Sequence, residues 1–414
     1  MERRGFGYAM TVICPQCLTV LDTSTPLLQV LQKIEEAQNR RTPSIPLGSR
    51  GAFTGATWEV IGFQTRAIEE DGETFEWEEY LLFNPYKGFR YLTQYDGHWN
   101  FVTPLEAMPQ STNQRGLFPI FYEGLVYKHF SGGQATTTFV LGEFPWRVKV
   151  GEQVVTHDYV HPPQVLSAEI TSDEIAWSRG EYVPGFAIWK AFNLAGAAPP
   201  ARGVYLNQPS PISDKVGGIW RNFALMLALL AGLAIFFAVF SRRDTVFRSS
   251  YTFSSAQQGE PSFVTGDFDL TGRPTTLEVA VNTDLDNNWT YFNFALVNQD
   301  TGQAYDFGRE VSYYHGTDSD GSWDEGSRNS SVLIPAVTPG KYYLRVEPEM
   351  DSGVVTYELT LRHDVPSYTW FLIAAGLLLI PPVLYTVRAR SFETQRWMNS
   401  DHPPVRVSSN DGDD

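Results

Sequence analysis

The sequence predicts a mainly β protein with membrane helices: N-terminal tandem small β barrels or sheets, two transmembrane helices, and an extracytoplasmic β-sandwich of jelly-roll or immunoglobulin-like type. Three observations predict it. Residues 223–240 and 369–387 are apolar runs without a charged side chain, and soluble core helices are seldom apolar on every face over such a length. The stretches before and between these runs are short β-branched and aromatic segments broken by glycine turns. The segment between them is sharply acidic, with 18 Asp and Glu against 6 Lys and Arg over residues 251–364. The chain of 414 residues has room for two or three domains. Its formal charge is −16, and no basic run interleaved with aromatics offers a footprint for a phosphate backbone, so nucleic acid is disfavoured as a partner.

Residues 1–44 open with Glu2, Arg3 and Arg4 but no apolar signal core, so no secretory signal is read and this region is expected in the cytoplasm. Cys14-Pro-Gln-Cys17 has the spacing of a zinc knuckle, and these are the chain's two cysteines, which excludes a disulfide scaffold. Tetrahedral zinc needs about four ligands, so Cys14 and Cys17 supply half a site. The alternatives are metal shared between chains, a degenerate knuckle, or a reactive dithiol. Leu27, Leu28, Leu31, Ile34 and Ala37 then recur at helical spacing behind Pro26, predicting a short amphipathic helix.

Residues 45–115 and 116–195 read as two β domains. Candidate strands are residues 57–63, 76–83, 89–93, 99–103, 136–141 and 146–150, and Asp71-Gly72, Lys87-Gly88 and Asp96-Gly97 sit between them as hairpin signals. Glu78, Glu79, Asp96, His98 and Glu143 are the polar residues here that could do acid–base work. Adjacency in sequence does not make them converge, and alternation puts Trp77 and Glu79 on one face of a strand with Glu78 and Tyr80 on the other.

Longer strings carry a family likeness. They are Ile45-Pro-Leu-Gly-Ser-Arg-Gly51, Trp77-Glu-Glu-Tyr-Leu-Leu-Phe83, Gly88-Phe-Arg-Tyr-Leu92 and Asp96-Gly-His-Trp-Asn-Phe101 in the first half. In the second they are Leu141-Gly-Glu-Phe-Pro-Trp-Arg-Val-Lys-Val-Gly151, Pro162-Pro-Gln-Val-Leu-Ser-Ala-Glu169, Glu174-Ile-Ala-Trp-Ser178 and Gly180-Glu-Tyr-Val183. Residues 45–192 thereby resemble the bacterial domain of unknown function 4178, in two consecutive copies. The resemblance implies no established enzymatic activity, an N-terminus that in relatives often carries two CxxC knuckles, and an association with membrane-stress coat proteins of the phage-shock type.

Residues 196–218 read as a linker, 219–241 as the first transmembrane helix and 368–387 as the second, with a kink expected at Pro381-Pro382. Arg388, Arg390 and Arg396 follow the second helix and argue for a cytoplasmic tail over residues 388–414, polar and disordered from residue 399. Lys215 and Arg221 agree with both termini inside an inner membrane; Arg242, Arg243 and Arg248 do not. Residues 249–365 form the external sandwich. Its loop Asp318-Ser-Asp-Gly-Ser-Trp-Asp-Glu-Gly326 offers Asp318, Asp320, Asp324 and Glu325 as calcium ligands, although Asn329 stands where an EF-hand has its last glutamate, and a solvated acidic hairpin is the alternative.

The function expected from these features is a non-enzymatic membrane-anchored scaffold or sensor. Its partners are the lipid bilayer and a protein on the cytoplasmic side, with an oligomer left open. The alternative is an enzyme, or the obligate subunit of one, with a site around Glu79, Asp96 and His98. Beyond zinc or calcium no cofactor is indicated.

Overall fold

A computed structural model describes residues 8–23, 29–32, 41–70, 72–111, 119–256, 259–319 and 321–404. The chain divides into two compact units, Met1–Gly217 with Leu384–Asp414, and Gly218–Val383. Strands dominate both. The described helices are α1 (Gly185–Phe192), α2 (Ser213–Phe240) and α3 (Thr369–Met398).

In the first unit, Ala56–Glu70, Glu73–Asn84, Gly88–Tyr95 and His98–Pro104 form one antiparallel meander. Leu125–Phe144, Gln153–His161, Gln164–Ile170 and Ile175–Val183 form a second. The first strand of each pairs with the first of the other, Phe63 opposite Leu141, and the last with the last, Phe101 opposite Glu181. The result is one closed antiparallel ring of eight strands. This refines the expectation of tandem barrels: each meander alone would leave two edges unpaired, and pairing edge to edge removes all four.

Each meander keeps its own apolar core on the outward side. Phe63, Tyr80, Leu92 and Phe101 lie in mutual register and share a core with Ile13 and Val20 of the N-terminal hairpin and Ile188 and Phe192 of α1. The second meander buries Tyr127, Tyr159 and Leu166 with Ile120. Helix α1 starts behind Pro184, whose extended conformation suits an N-cap, and its Trp189 meets Trp99 edge-on. At Asp96-Gly97 both residues have positive φ, 46° and 81°, as a type I′ hairpin requires. A Cβ on Gly97 would lie 2.6 Å from the Pro200 carbonyl oxygen.

Two local expectations change. Gln29–Gln32 is a strand paired with Val20–Asp22, so the helix expected there is corrected in its described part; residues 24–28 and 33–40 lie outside the described residues. Pairing to an existing hairpin edge outweighs a local helical period. Residues 146–150 form a loop, not a strand. Trp146 packs on Phe144 and Tyr91 and Val148 is buried, so their apolar character reflects packing.

The second unit holds an antiparallel two-sheet domain. The four-stranded sheet runs Asp244–Ser254, Val354–His363, Thr275–Thr283, Asn329–Val337. The six-stranded sheet is built on Gly340–Glu349, Asn288–Asn298 and Ala304–Asp318. One core draws on both, and the rings of Phe292 and Tyr357 meet across it at 4.7 Å. First and last strands are neighbours, Asp244 opposite His363, so the domain enters and leaves at one place, as an insertion between two helices must. Helices α2 and α3 are long and apolar enough to cross a membrane, and 0% and 6% of their apolar windows are covered by protein. Phe237 of α2 meets Phe371 of α3. Pro381 and Pro382 lie inside α3, which runs on through Met398, beyond the span read from hydropathy.

Candidate functional site

Residues opposite each other in an antiparallel ladder share a face. Gln64 faces Glu79, Glu79 faces Thr93, Thr93 faces Asn100 and Asn100 faces Tyr182. Arg66 opposite Trp77, and Asp158 opposite Ser167 opposite Ser178, continue the same face. Contacts between the meanders are made here: Arg66 of the first donates to Glu169 of the second at 2.5 Å, and Asn207 donates to Asn100 of the first and the Pro163 carbonyl of the second. The polar face is therefore the inside of the ring.

Arg66 is 6% exposed and also reaches Glu79 at 3.5 Å, with the Trp77 ring 5.8 Å from its guanidinium carbon. Burial works against its charge, but the Glu79 and Glu169 carboxylates outweigh that and raise its pKa. Glu79 additionally accepts from Gln64 at 2.6 Å and from the Trp77 indole at 2.7 Å. With its oxygens held by three donors, Glu79 is poorly placed to take a substrate proton. Burial pushes the Asp158 carboxyl up to about 6, against the Ser167 hydroxyl that donates to it. Among the described residues Arg66 Nε and Asn207 Oδ1 are buried without a protein partner, positions of the kind internal water fills.

One end of the ring is stopped by residues 205–207. Tyr205 stacks on His98 at 5.2 Å. His98 Nε2 faces the Arg202 carbonyl at 2.9 Å, so it carries the proton, and Nδ1 accepts from the Tyr182 hydroxyl at 3.0 Å. Burial lowers the His98 pKa. Of the three residues expected to make an enzyme site, Glu79 is thus in the ion network, His98 in the stopper, and Asp96 in the turn beside it. Among the described residues no hydrogen bond joins them.

The stopper is held by the far end of the chain. Arg396, 1% exposed, donates to the carbonyls of Tyr205, Leu206 and Gln208 at 2.9, 2.7 and 2.6 Å and pairs with Glu393. Trp397 packs on Phe130 beside Val160, Val165 and Leu206. Asp401 N–H donates to the Phe130 carbonyl at 2.9 Å, Asp401 Oδ2 accepts from Gly132 N–H at 3.0 Å, and His402 meets His129. The polar tail expected to be disordered from residue 399 is therefore docked through residue 402; residues 405–414 lie outside the described residues.

The metal candidates are placed as follows. Cys14 and Cys17 flank a tight turn, with Leu18 N–H donating to the Cys14 carbonyl at 2.8 Å. The Thr19 hydroxyl, 3.2 Å from Cys17 Sγ, lowers the exposed Cys17 thiol to about 7, with Cys14 adding to it. Asp318 ends one strand of a hairpin, while Asp324 and Glu325 follow on its partner, opposite His315 and Tyr314. Consecutive strand residues point to opposite faces, so Asp324 and Glu325 do not converge. Asp320 lies outside the described residues. Among the described residues no cluster of three His, Cys, Asp or Glu could hold a metal ion.

Arg66, Asp158 and Glu169 carry no functional signal in the local sequence, and Arg396 reads there as a flanking membrane charge. Each stands alone in its local pattern, and Arg66 and Glu169 are 103 residues apart.

Residues 46–185 match the family described as Domain of unknown function (DUF4178). One DUF4178 match thus spans both meanders, where the sequence reading expects two consecutive copies. No curated protein matches the chain. Among solved structures, similarity is found to the infectious bursal disease virus Gt strain, at 13% identity over 77% of this chain and 80% of that one, with a TM-score of 0.17. The mosquito-larvicidal Cry4Aa toxin from Bacillus thuringiensis is similar at 7% identity over 74% and 52%, TM-score 0.14. A carbohydrate-binding module from the β-sandwich superfamily is similar at 7% identity over 63% and 94%, TM-score 0.14.

Proposed function

We propose that this protein is a non-enzymatic membrane-anchored sensor or scaffold. In this reading α2 and α3 cross the inner membrane, the DUF4178 ring and the tail lie on the cytoplasmic side, and the two-sheet domain is an extracytoplasmic β-sandwich. The observation that carries it is the Arg396 anchor. It ties the end of α3 to residues 205–208, a few residues before α2 begins at Ser213. In this reading α2 starts and α3 finishes on the same unit, as two crossings that return the chain to one side would have them. The occupied oxygens of Glu79 and both occupied nitrogens of His98 support the non-enzymatic half of the reading. The family resemblance adds a link to bacterial membrane stress through a coat-protein partner.

Labelling in spheroplasts with a membrane-impermeant maleimide tests the topology. Native Cys14 and Cys17 should react only after lysis. Ser322→Cys, on an exposed strand in a Cys14→Ser, Cys17→Ser background, should react in intact spheroplasts. The opposite pattern, or equal labelling of both, would refute the arrangement.

A further inference from the structure

Three histidines that come from remote parts of the chain form a file beside the docked tail. His129 Nδ1 lies 3.0 Å from His402 Nε2, and His129 Nε2 lies 3.3 Å from His157 Nδ1. The central ring is 3% exposed and meets Tyr159 edge-on. A bulge between His129 and Ser131 takes Phe130 out of the ladder, leaving its carbonyl for the tail. A Cβ on Gly132 would lie 2.4 Å from His157 Nδ1, so glycine is what leaves room for the ring. We propose that these three imidazoles count protons: the docked tail accommodates one added proton and is released by a second.

Each link in the file needs one proton between its two nitrogens. Three neutral imidazoles carry three protons, two in the links and one on an outer nitrogen. A fourth goes to the other outer nitrogen and both links survive. A fifth has no place except inside a link, where two N–H groups then face each other next to a second positive charge, and the link breaks. The carboxylate that acts on His129 is Asp401 on the tail; Lys128 precedes His129 on its own strand, and Asp158 follows His157 on the neighbouring strand with its side chain on the enclosed face. Asp401 favours the first proton. Burial, ahead of every other influence, lowers the His129 pKa, so the docked form loses ground as pH falls below the ordinary imidazole range of about 6.5. Arg396 holds the helix end through the carbonyls of Tyr205, Leu206 and Gln208 while residues 401 and 402 come free. This device belongs to the ring and tail on whichever side of a bilayer they sit, and goes beyond the proposed function.

Hydrogen exchange on the full chain in detergent, corrected for intrinsic rates, tests it in the segments 128–133 and 396–404. Wild type should keep its protection from pH 8 to about 6.5 and lose about tenfold or more by pH 5. His157→Gln/His402→Gln keeps hydrogen-bonding groups but cannot take the second proton, and should stay protected at pH 5. His402→Gln alone, at an exposed position, should shift release to lower pH and serves if the double variant does not fold. Equal wild-type protection at pH 5 and pH 8 overturns the proposal. So does loss over the same range in the variants, which would assign release to the carboxylates.

Discussion

The two β regions of this chain bury opposite things. Among the described residues, the first unit buries Asp22, Arg66, Glu143 and Arg396 together with His98 and His129. Among its own described residues the two-sheet domain buries no charged side chain; the polar ones it buries there are Thr265, Thr283, Thr290, Asn298 and Thr360. For Arg66 and His98 the cause is which face each fold encloses, while Asp22 sits on the N-terminal hairpin and Arg396 on α3. Two stacked sheets have one shared interior, and it must be apolar to be worth forming. The meanders of the ring meet most of their apolar needs on their outward faces, and beside the apolar Leu81, Val140, Val160 and Val165 the enclosed face also carries ions, provided each is paired. Stability in one region should then answer to charge and pH, and in the other to volume.

The largest effect should come from breaking each interior in its own terms. Arg66→Met leaves Glu79 and Glu169 facing each other without a cation, and should cost the first unit about 3 kcal/mol near neutral pH, less than a fully buried pair because Glu169 is 43% exposed. Phe292→Ala opens a cavity at the contact with Tyr357 and should cost the two-sheet domain about 3–5 kcal/mol. The pH dependence separates them. Denaturant unfolding should show the Arg66→Met penalty shrinking as pH falls and the carboxylates protonate, while the Phe292→Ala penalty stays level. A level penalty in both would mean that the ion network does no more than fill space.

The same contrast explains what could be read from the sequence. The β character of the two-sheet domain was legible because an apolar core leaves alternation in its strands, as in Tyr342, Leu344 and Val346, all buried. The membrane-length helices were legible for the same local reason. In the ring, the alternation of Trp77 and Glu79 against Glu78 and Tyr80 was readable, but not which face is enclosed. That depends on pairing Phe63 with Leu141 and Phe101 with Glu181, contacts that leave no local trace. The same holds for Arg396 and His402, whose partners lie near residues 205 and 129.

A middle-sized effect tests whether a half-buried carboxylate strains the ring. Asp158 has Ser167 as its hydrogen-bond donor, and its pKa is raised to about 6 by burial, so the folded state prefers the protonated form. The sign follows: its contribution is favourable at low pH, begins to be lost above about 4 as the unfolded carboxyl ionises, and is gone above about 6. Asp158→Asn mimics the protonated group and still accepts from Ser167. Thermal melts should show the variant about 1–3 kcal/mol more stable than wild type at pH 8 and level with it near pH 4. A variant less stable at pH 8 would show that the carboxylate is held by a cation.

The smallest effect should come from removing charge where the two-sheet domain displays it. Arg328 reaches Asp286 at 3.4 Å, with the two side chains 45% and 65% exposed, and lies 4.3 Å over the Tyr313 ring. Water screens the ion pair, so Arg328→Ala should cost no more than about 1 kcal/mol, most of it from the ring contact and the bond to the Leu285 carbonyl. The outcome bears on the ring as well. If removing an exposed arginine cost as much as removing Arg66, enclosure would not be what gives the Arg66 network its weight. A small loss here beside a large, pH-dependent one at Arg66 places the difference in the enclosed face itself.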